Sequence, residues 1–263
     1  GHEAYINLTS NTYIPPTGPG MWVPTPPGFG KPFHNSWGAN RSFLKGIVTK
    51  AEALPPPTYS EIPSSEFYKA ANHVYQISKK LTRDDSTIAK FWADLPVNYN
   101  VPAHAANIVT QLVQLKKLSL PEAAVLYCKH GIAGNESLVV CFSTKYKYIV
   151  LRPVTYIRTV LGKPNWNSFI PTPPFPEYSS AHAVVSAAFA VVLEEQFGKK
   201  FSFTDHTYKD LYGSRTYNSF EHYAEEAAVS RVYGGIHYTF AATEGLRQGK
   251  IVGKEVNRLK FKK

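Results

Sequence analysis

The sequence predicts an all-α helical bundle with an extended, proline-rich N-terminal arm. Three observations carry this reading. From Ser65 onward apolar residues recur at three-to-four spacing. The stretch Ala183 to Leu193 is apolar except for Ser186, as a buried helix requires. Strand-like alternation is scarce along the whole chain. Residues 1–64 read as the arm and 65–263 as the helical domain, the two forming a single domain overall.

In the arm, Pro15-Pro16, Pro24-Thr25-Pro26-Pro27-Gly28 and Pro55-Pro56-Pro57 forbid long helices. Trp22, Phe29, Phe33, Trp37 and Phe43 are large and apolar, so the arm is expected to be pinned onto the domain by these rings. A polyproline ligand for a partner domain is the alternative. Phe67, Ala70, Ala71, Val74, Ile77 and Leu81 then mark a first helix face, and Thr82-Arg83-Asp84-Asp85 caps a second helix holding Ile88, Phe91 and Trp92. Further helices are expected at 103–117, 120–132 and 134–147, the last beginning after Gly131 and Gly134. A proline-rich loop spans 163–178, and the apolar helix runs from Ser180 to Phe197. A polar stretch, 198–219, leads to helices at about 220–233 and 239–259. The loops at 95–105, 163–178 and 198–219 are expected around the mouth of a cavity; His104 and His206 within them read as surface histidines, with lining of the site as the alternative.

The 263 residues suffice for a sizeable core, and 43% hydrophobic and 18% charged content are ordinary for a globular protein. A net charge of +10 attracts anions, whether phosphorylated substrates, anionic surfaces or nucleic acid. The basic residues are scattered apart from the tail Lys260-Phe261-Lys262-Lys263, and no zinc-finger spacing or RNA-binding signature favours nucleic acid. Cys128 and Cys141 do not make a disulfide framework or a metal site, and both read as buried free thiols in helices. No run reaches the roughly 18 apolar residues of a membrane span. Gly1-His2 fits the scar of a cleaved tag; the compartment is left open, with export to the periplasm or medium after removal of a signal compatible with the sequence. Oligomeric state is not readable.

Three short segments carry chemistry. In Ser180-Ala181-His182, a non-helical Pro-Pro-Phe-Pro-Glu-Tyr gives way to a helix, so free backbone N–H groups point outward where an anion is favoured. His182 in the first turn is placed to move a proton. Lys145 and Arg152 stand seven apart, two helical turns, and would share a face if the helix continued to Arg152, with Pro153 ending it soon after. In Ser230-Arg231-x3-Gly235-x-His237, Gly234-Gly235 would break the helix and turn His237 into the same cavity, with one ring nitrogen free to attack phosphorus or coordinate a metal oxoanion. Taken singly each segment has an ordinary reading: a helix cap, a solvated basic face, a structural histidine.

As an ordered set, the segments match a signature. The chain resembles the superfamily of type 2 phosphatidic acid phosphatases, bacterial acid phosphatases and vanadium-dependent haloperoxidases, whose pattern is K-x6-R-P, P-S-G-H and S-R-x3-G-x-H. Lys145 to Pro153 and Ser230 to His237 are complete; the middle reads Ser179-Ser180-Ala181-His182. The arm Trp22-Val23-Pro24-Thr25-Pro26-Pro27-Gly28-Phe29, the segment Phe91-Trp92-Ala93-Asp94 and Pro173-Pro174-Phe175-Pro176 look like the soluble haloperoxidase-like branch. The resemblance implies a helical bundle of the acid phosphatase and vanadium haloperoxidase type. It implies that Lys145, Arg152 and Arg231 bind the oxyanion's oxygens, with Ser180 and the Ala181 N–H completing the cradle. His182 would be the acid–base group, and His237 the covalent ligand to phosphorus or vanadium. Asp94 would pair with Arg231, and Phe175 would lie near a halide pocket, with Phe142 where the chloroperoxidases carry Trp.

Two departures stand out. Ala181 would be strained by roughly 1 kcal/mol or more if its φ were positive and would cost nothing if helical; Ser179 in place of Pro is expected to loosen the turn. After His237 the chain reads Tyr238-Thr239-Phe240, leaving Glu244 as the only acid nearby in sequence. Three functions follow from the resemblance. One is a haloperoxidase using vanadate, hydrogen peroxide and halide. Another is a phosphatase hydrolysing small phosphate monoesters through a phosphohistidine at His237, with no cofactor. The third is a low-activity phosphate- or vanadate-binding protein.

Overall fold

Ten α-helices, one short 3-10 helix (Trp37–Ala39) and one two-stranded hairpin make up the regular structure among the described residues, 13–94 and 100–261, of this computed structural model. Residues 1–12, Lys262-Lys263 and the stretch 95–99 of the first mouth loop lie outside the described residues.

In the arm, a short helix α1 (Ile47–Lys50) is followed by α2 (Glu66–Ser78), where the Ser65 side chain accepts from the Tyr68 N–H. Helix α3 (Arg83–Phe91) starts at a capping box formed by Thr82 and Asp85. Asn100 caps α4 (Val101–Lys116), and a second box, Ser119 with Glu122, opens α5 (Leu120–Tyr148). After α6 (Pro153–Thr159) and the loop to Ser180 come α7 (Ala181–Phe197), strand β1 (Phe203–Asp205), a short α8 (Lys209–Tyr212) and strand β2 (Arg215–Tyr217). Helices α9 (Phe220–Tyr233) and α10 (Thr239–Asn257) complete the bundle.

Helix α7 is the central element, enclosed by α5, α9 and α10. Its buried residues lie on every side, which is why its sequence is apolar all round. Close approach of α10 depends on Gly245, Gly249 and Gly253, one per turn. A Cβ at Gly249 would stand 2.1 Å from the Val184 carbonyl oxygen, and one at Gly253 2.7 Å from that of Ala188.

Five expectations change. Helix α5 runs unbroken through Gly131 and Gly134, because two glycines cost only about 1 kcal/mol each in a helix whose face packs on α7. It ends at Tyr148, with Ile149 in the left-handed region and Val150 bridged to Met21. Arg152 therefore does not share a helix with Lys145; it is the N-cap of α6, which Pro153 starts rather than ends. The arm is held less by its rings than by its backbone: Trp22 is buried, but Phe29, Phe33 and Phe43 are exposed. The Trp22 N–H donates to Ile149 O, Phe33 N–H to Pro174 O, and the N–H groups of Phe43 and Leu54 to the Glu136 and Glu244 carboxylates. Finally, Cys141 is a buried free thiol as expected, but Cys128 is exposed. The polar stretch 198–219 is not a plain loop either, since β1 pairs with β2, Phe203 opposite Tyr217 and Asp205 opposite Arg215. No helix among the described residues is long and apolar enough to cross a membrane.

Candidate active site

The three chemical segments come together where the loop before α7, the end of α5, the start of α6 and the α9–α10 turn meet. Ser180 is the N-cap of α7, with φ −76° and ψ 117°. Its hydroxyl is buried and has no partner among the described residues. Ala181 is the first residue of the helix and is not among the positive-φ residues, so its methyl group imposes no backbone strain. Ser179 does not loosen the turn: it is fully buried, its hydroxyl donates to Gln248 Oε1 at 2.5 Å, and its carbonyl accepts from Lys145.

Lys145 is fully buried, and its ammonium donates to the carbonyls of Pro176, Glu177 and Ser179 at 2.9, 2.9 and 2.6 Å. Each of its three N–H bonds thus holds the loop that leads into Ser180. Burial pulls its pKa down to about 7, with Arg152 and Arg231 adding to the fall.

Arg152 donates from Nε to Phe175 O and from Nη1 to Ile236 O, and its buried Nη2 has no partner among the described residues. The Phe175 ring lies 5.1 Å from both Lys145 Nζ and the Arg152 guanidinium and packs edge-on against Phe142. Arg231, in the last turn of α9, donates through Nη1 to Trp92 O, while its buried Nε is without a partner among the described residues.

His237 reaches the site through a tight turn. Gly235 adopts φ +75°, a conformation that favours glycine, and the N–H groups of Ile236 and His237 return to the Arg231 carbonyl. The ring is buried between Glu177 and Arg152: Nδ1 is 2.8 Å from Glu177 Oε1 and Nε2 is 3.2 Å from Arg152 Nη1. A guanidinium only donates and a carboxylate only accepts. These partners assign the proton to Nδ1 and leave the Nε2 lone pair facing the cations. Burial, then Arg152, Lys145 and Arg231, hold the imidazole pKa well below 6.5. Glu177 also accepts from the Tyr238 N–H. Burial lifts its pKa to about 7 against the pull of Arg152 and Lys145. Sequence reasoning missed Glu177. Glu244, the nearest acid in sequence, instead pairs with Arg247 and the Leu54 N–H.

His182 Nε2 donates to Asp94 Oδ2 at 3.2 Å. Burial and the Arg231 charge lower its pKa to about 4. Asp94 does not hydrogen-bond Arg231 as expected; its other oxygen accepts from His104 Nδ1 and from Tyr208 Oη, both at 2.9 Å. Arg231 takes the Trp92 carbonyl two residues earlier and feels Asp94 through its charge. His206 is exposed, in keeping with a surface histidine, but His104 is 1% exposed and lies directly behind the site. No spacing rule linked it to Asp94, because its second partner, Asp205, comes from the β-hairpin.

The family of the VCPO second helical-bundle domain matches residues 125–262, more than half of the chain and all three chemical segments. The chain belongs to this family. With it, the chain belongs to the superfamily of type 2 phosphatidic acid phosphatases and vanadium haloperoxidases. Among solved structures, a bacterial vanadium-dependent iodoperoxidase is 34% identical, with a TM-score of 0.89 over 97% of this chain. The holo and apo forms of a bacterial vanadium-dependent chloroperoxidase share the fold at 15% and 16% identity, with TM-scores of 0.70 and 0.71 over 94% of the chain. The chain spans 65% of the length of the iodoperoxidase and 64% and 65% of the two chloroperoxidase chains. Curated proteins give no match.

Proposed function

We propose that this family member is a vanadate-dependent haloperoxidase, with iodide as the first halide to test. The observation that carries the reading is a set of buried, unpartnered donors around an unprotonated imidazole nitrogen whose only partner among the described residues is the Arg152 guanidinium. Arg152 Nη2, Arg231 Nε and Ser180 Oγ have no partner among the described residues, and His237 Nε2 faces Arg152 rather than a proton of its own. Buried polar groups are rarely left unpaired, so such a set fits an oxyanion. Arg152, Arg231 and Ser180 would hold the oxyanion's oxygens, the Ala181 N–H at the start of α7 would add a donor, and His237 would be the ligand to vanadium. Lys145 would contribute its charge while holding the loop. The similarity to the iodoperoxidase over nearly the whole chain supports the choice of halide.

When bound, vanadate supplies the Lewis-acid centre that activates hydrogen peroxide toward halide. The protein's residues do the rest. Glu177 keeps the Nδ1 proton in place, so that Nε2 remains the donor atom. Arg152 and Arg231 would offset the negative charge of the oxyanion in a buried setting where such interactions are strong. His182, neutral and held through Nε2 by Asp94, has Nδ1 available to take a proton from the incoming peroxide. Phe175 and Phe142 provide an apolar wall beside the cations.

A phosphatase is the second reading, favoured by the Glu177–His237 pair: an oriented imidazole with an unprotonated Nε2 is also a nucleophile toward phosphorus. One paired assay separates the two. Iodide oxidation that requires both vanadate and peroxide, and is lost in His237→Ala, supports the peroxidase. Vanadate-inhibited ester hydrolysis without peroxide-driven oxidation overturns it in favour of the phosphatase. Vanadate binding without either turnover leaves an oxyanion-binding protein.

A further inference from the structure

We propose that His104 is a positioning residue for His182: bridging the carboxylates of Asp94 and Asp205, it fixes the acid that orients the His182 ring and offsets that acid's charge. The inference rests on the reading of His182 as the group that moves a proton.

The four side chains form one line. Asp205 Oδ2 accepts from His104 Nε2 at 2.8 Å, Asp94 Oδ1 accepts from His104 Nδ1 at 2.9 Å, and Asp94 Oδ2 accepts from His182 Nε2 at 3.2 Å. The two carboxylates are fully buried and the His104 side chain is 1% exposed. Both ring nitrogens of His104 face groups that only accept, so a neutral imidazole would set one lone pair against a carboxylate. The imidazolium satisfies both. Burial works against that charge, but the two carboxylates raise the His104 pKa to about 9.

The bridge is itself braced. The His104 ring packs against Trp92 at 4.8 Å and Tyr208 at 5.0 Å. Asp205 Oδ1 accepts from the Thr207 N–H and hydroxyl. On the other strand of the hairpin, Arg215 makes two bonds to Glu226, which also accepts from Trp92 Nε1 and Tyr217 Oη. The hairpin thus holds the segment Trp92–Asp94 through both strands, and that segment carries the carbonyl for Arg231 and the carboxylate for His182.

Two consequences follow. With Asp94 Oδ1 occupied by His104 and Tyr208, Oδ2 is left for His182, which fixes the His182 tautomer and leaves its Nδ1 free. Second, the His104 charge beside Asp94 weakens that acid's pull on the His182 proton. The charged groups facing these rings are Asp94, Asp205 and Arg231, and His237, Tyr208 and Tyr223 are the titratable neighbours.

Histidine-ring nitrogen NMR on the full chain, without vanadate or substrate, tests this. In the unaltered protein His104 should stay doubly protonated at pH 7.5 and His182 should be neutral with its proton on Nε2. His104→Asn keeps a donor toward Asp94 without the charge, and the His182 midpoint should rise by about one pH unit. Tyr208→Phe, which removes a neutral donor from the same oxygen, should move it less. Asp205→Asn should lower the His104 midpoint, and serves if His104→Asn does not fold. A His104 midpoint near 6.5, an unmoved His182 midpoint in folded His104→Asn, or equal shifts in His104→Asn and Tyr208→Phe would each overturn the proposal. Absence of halide oxidation in the unaltered protein would instead count against the peroxidase reading and leave the ring coupling standing. If both readings hold, the acid limb of turnover in His104→Asn moves up with the His182 midpoint.

Discussion

Glu177 Oε1 accepts from His237 Nδ1 at 2.8 Å across a separation of 60 residues. This contact decides which nitrogen of His237 is free. In Glu177→Gln the amide can donate to Nδ1 and move the proton to Nε2, the wrong tautomer for a ligand atom. Vanadate affinity should fall about 10- to 100-fold, read by titration with vanadate at fixed pH. Unchanged affinity would show that the tautomer is set elsewhere.

Arg152→Lys keeps the charge and removes the fork. The guanidinium is tied to Phe175 O and Ile236 O while Nη2 has no partner among the described residues, an arrangement a lysine cannot reproduce. Loss of charge-assisted bonds of about 1.5–3 kcal/mol each gives an expected drop of about 100-fold in vanadate affinity. Equilibrium binding at matched ionic strength measures it.

Ala181→Gly restores the residue that the superfamily signature carries, and little should change. Ala181 is helical, so glycine relieves no strain and costs at most about 1 kcal/mol, or no more than about 4 °C in Tm. Turnover should stay within about twofold; a large gain would mean that the methyl group obstructs the cradle.

Gly249→Ala should be severe. Its Cβ would meet the Val184 carbonyl at 2.1 Å, backbone against backbone, so α7 and α10 would have to separate. A loss above about 3 kcal/mol is expected in denaturant unfolding. Gly28→Ala, where a Cβ meets nothing, is the control.

His104 makes a pH-dependent contribution to stability. Its pKa rises on folding from 6.5 to about 9, so the folded state binds the proton more tightly, by about 3 kcal/mol. That stabilisation is fully present below pH 6.5 and is lost as pH rises through 9. The destabilisation caused by His104→Asn should therefore be largest near pH 6 and shrink toward pH 9 in unfolding curves taken at both ends.

Much of this was legible in the chain because local rules suffice for it. The cap at Thr82, the apolar run of α7, and the break at Gly234-Gly235 are written in neighbouring residues. The split of α5 at Gly131 and Gly134 misled, because packing on α7 outweighs two small propensity costs. Cys128 misled in the same way: a helix is legible from its spacing, but which of its faces meets solvent is not.

The sequence by itself determined the helical bundle, the family and the ordered set of cationic and histidine residues that we propose hold an anion, since these depend on periodicity and on an ordered motif. Only the tertiary structure decided how those groups are controlled. Glu177 rather than Glu244 orients His237, Asp94 serves His182 rather than Arg231, Lys145 holds the loop before α7, and His104 lies in the interior between two carboxylates. The reason is physical. Hydrogen bonds between buried side chains form wherever the fold brings donors and acceptors within about 3 Å, and the residues that meet come from elements far apart in the chain.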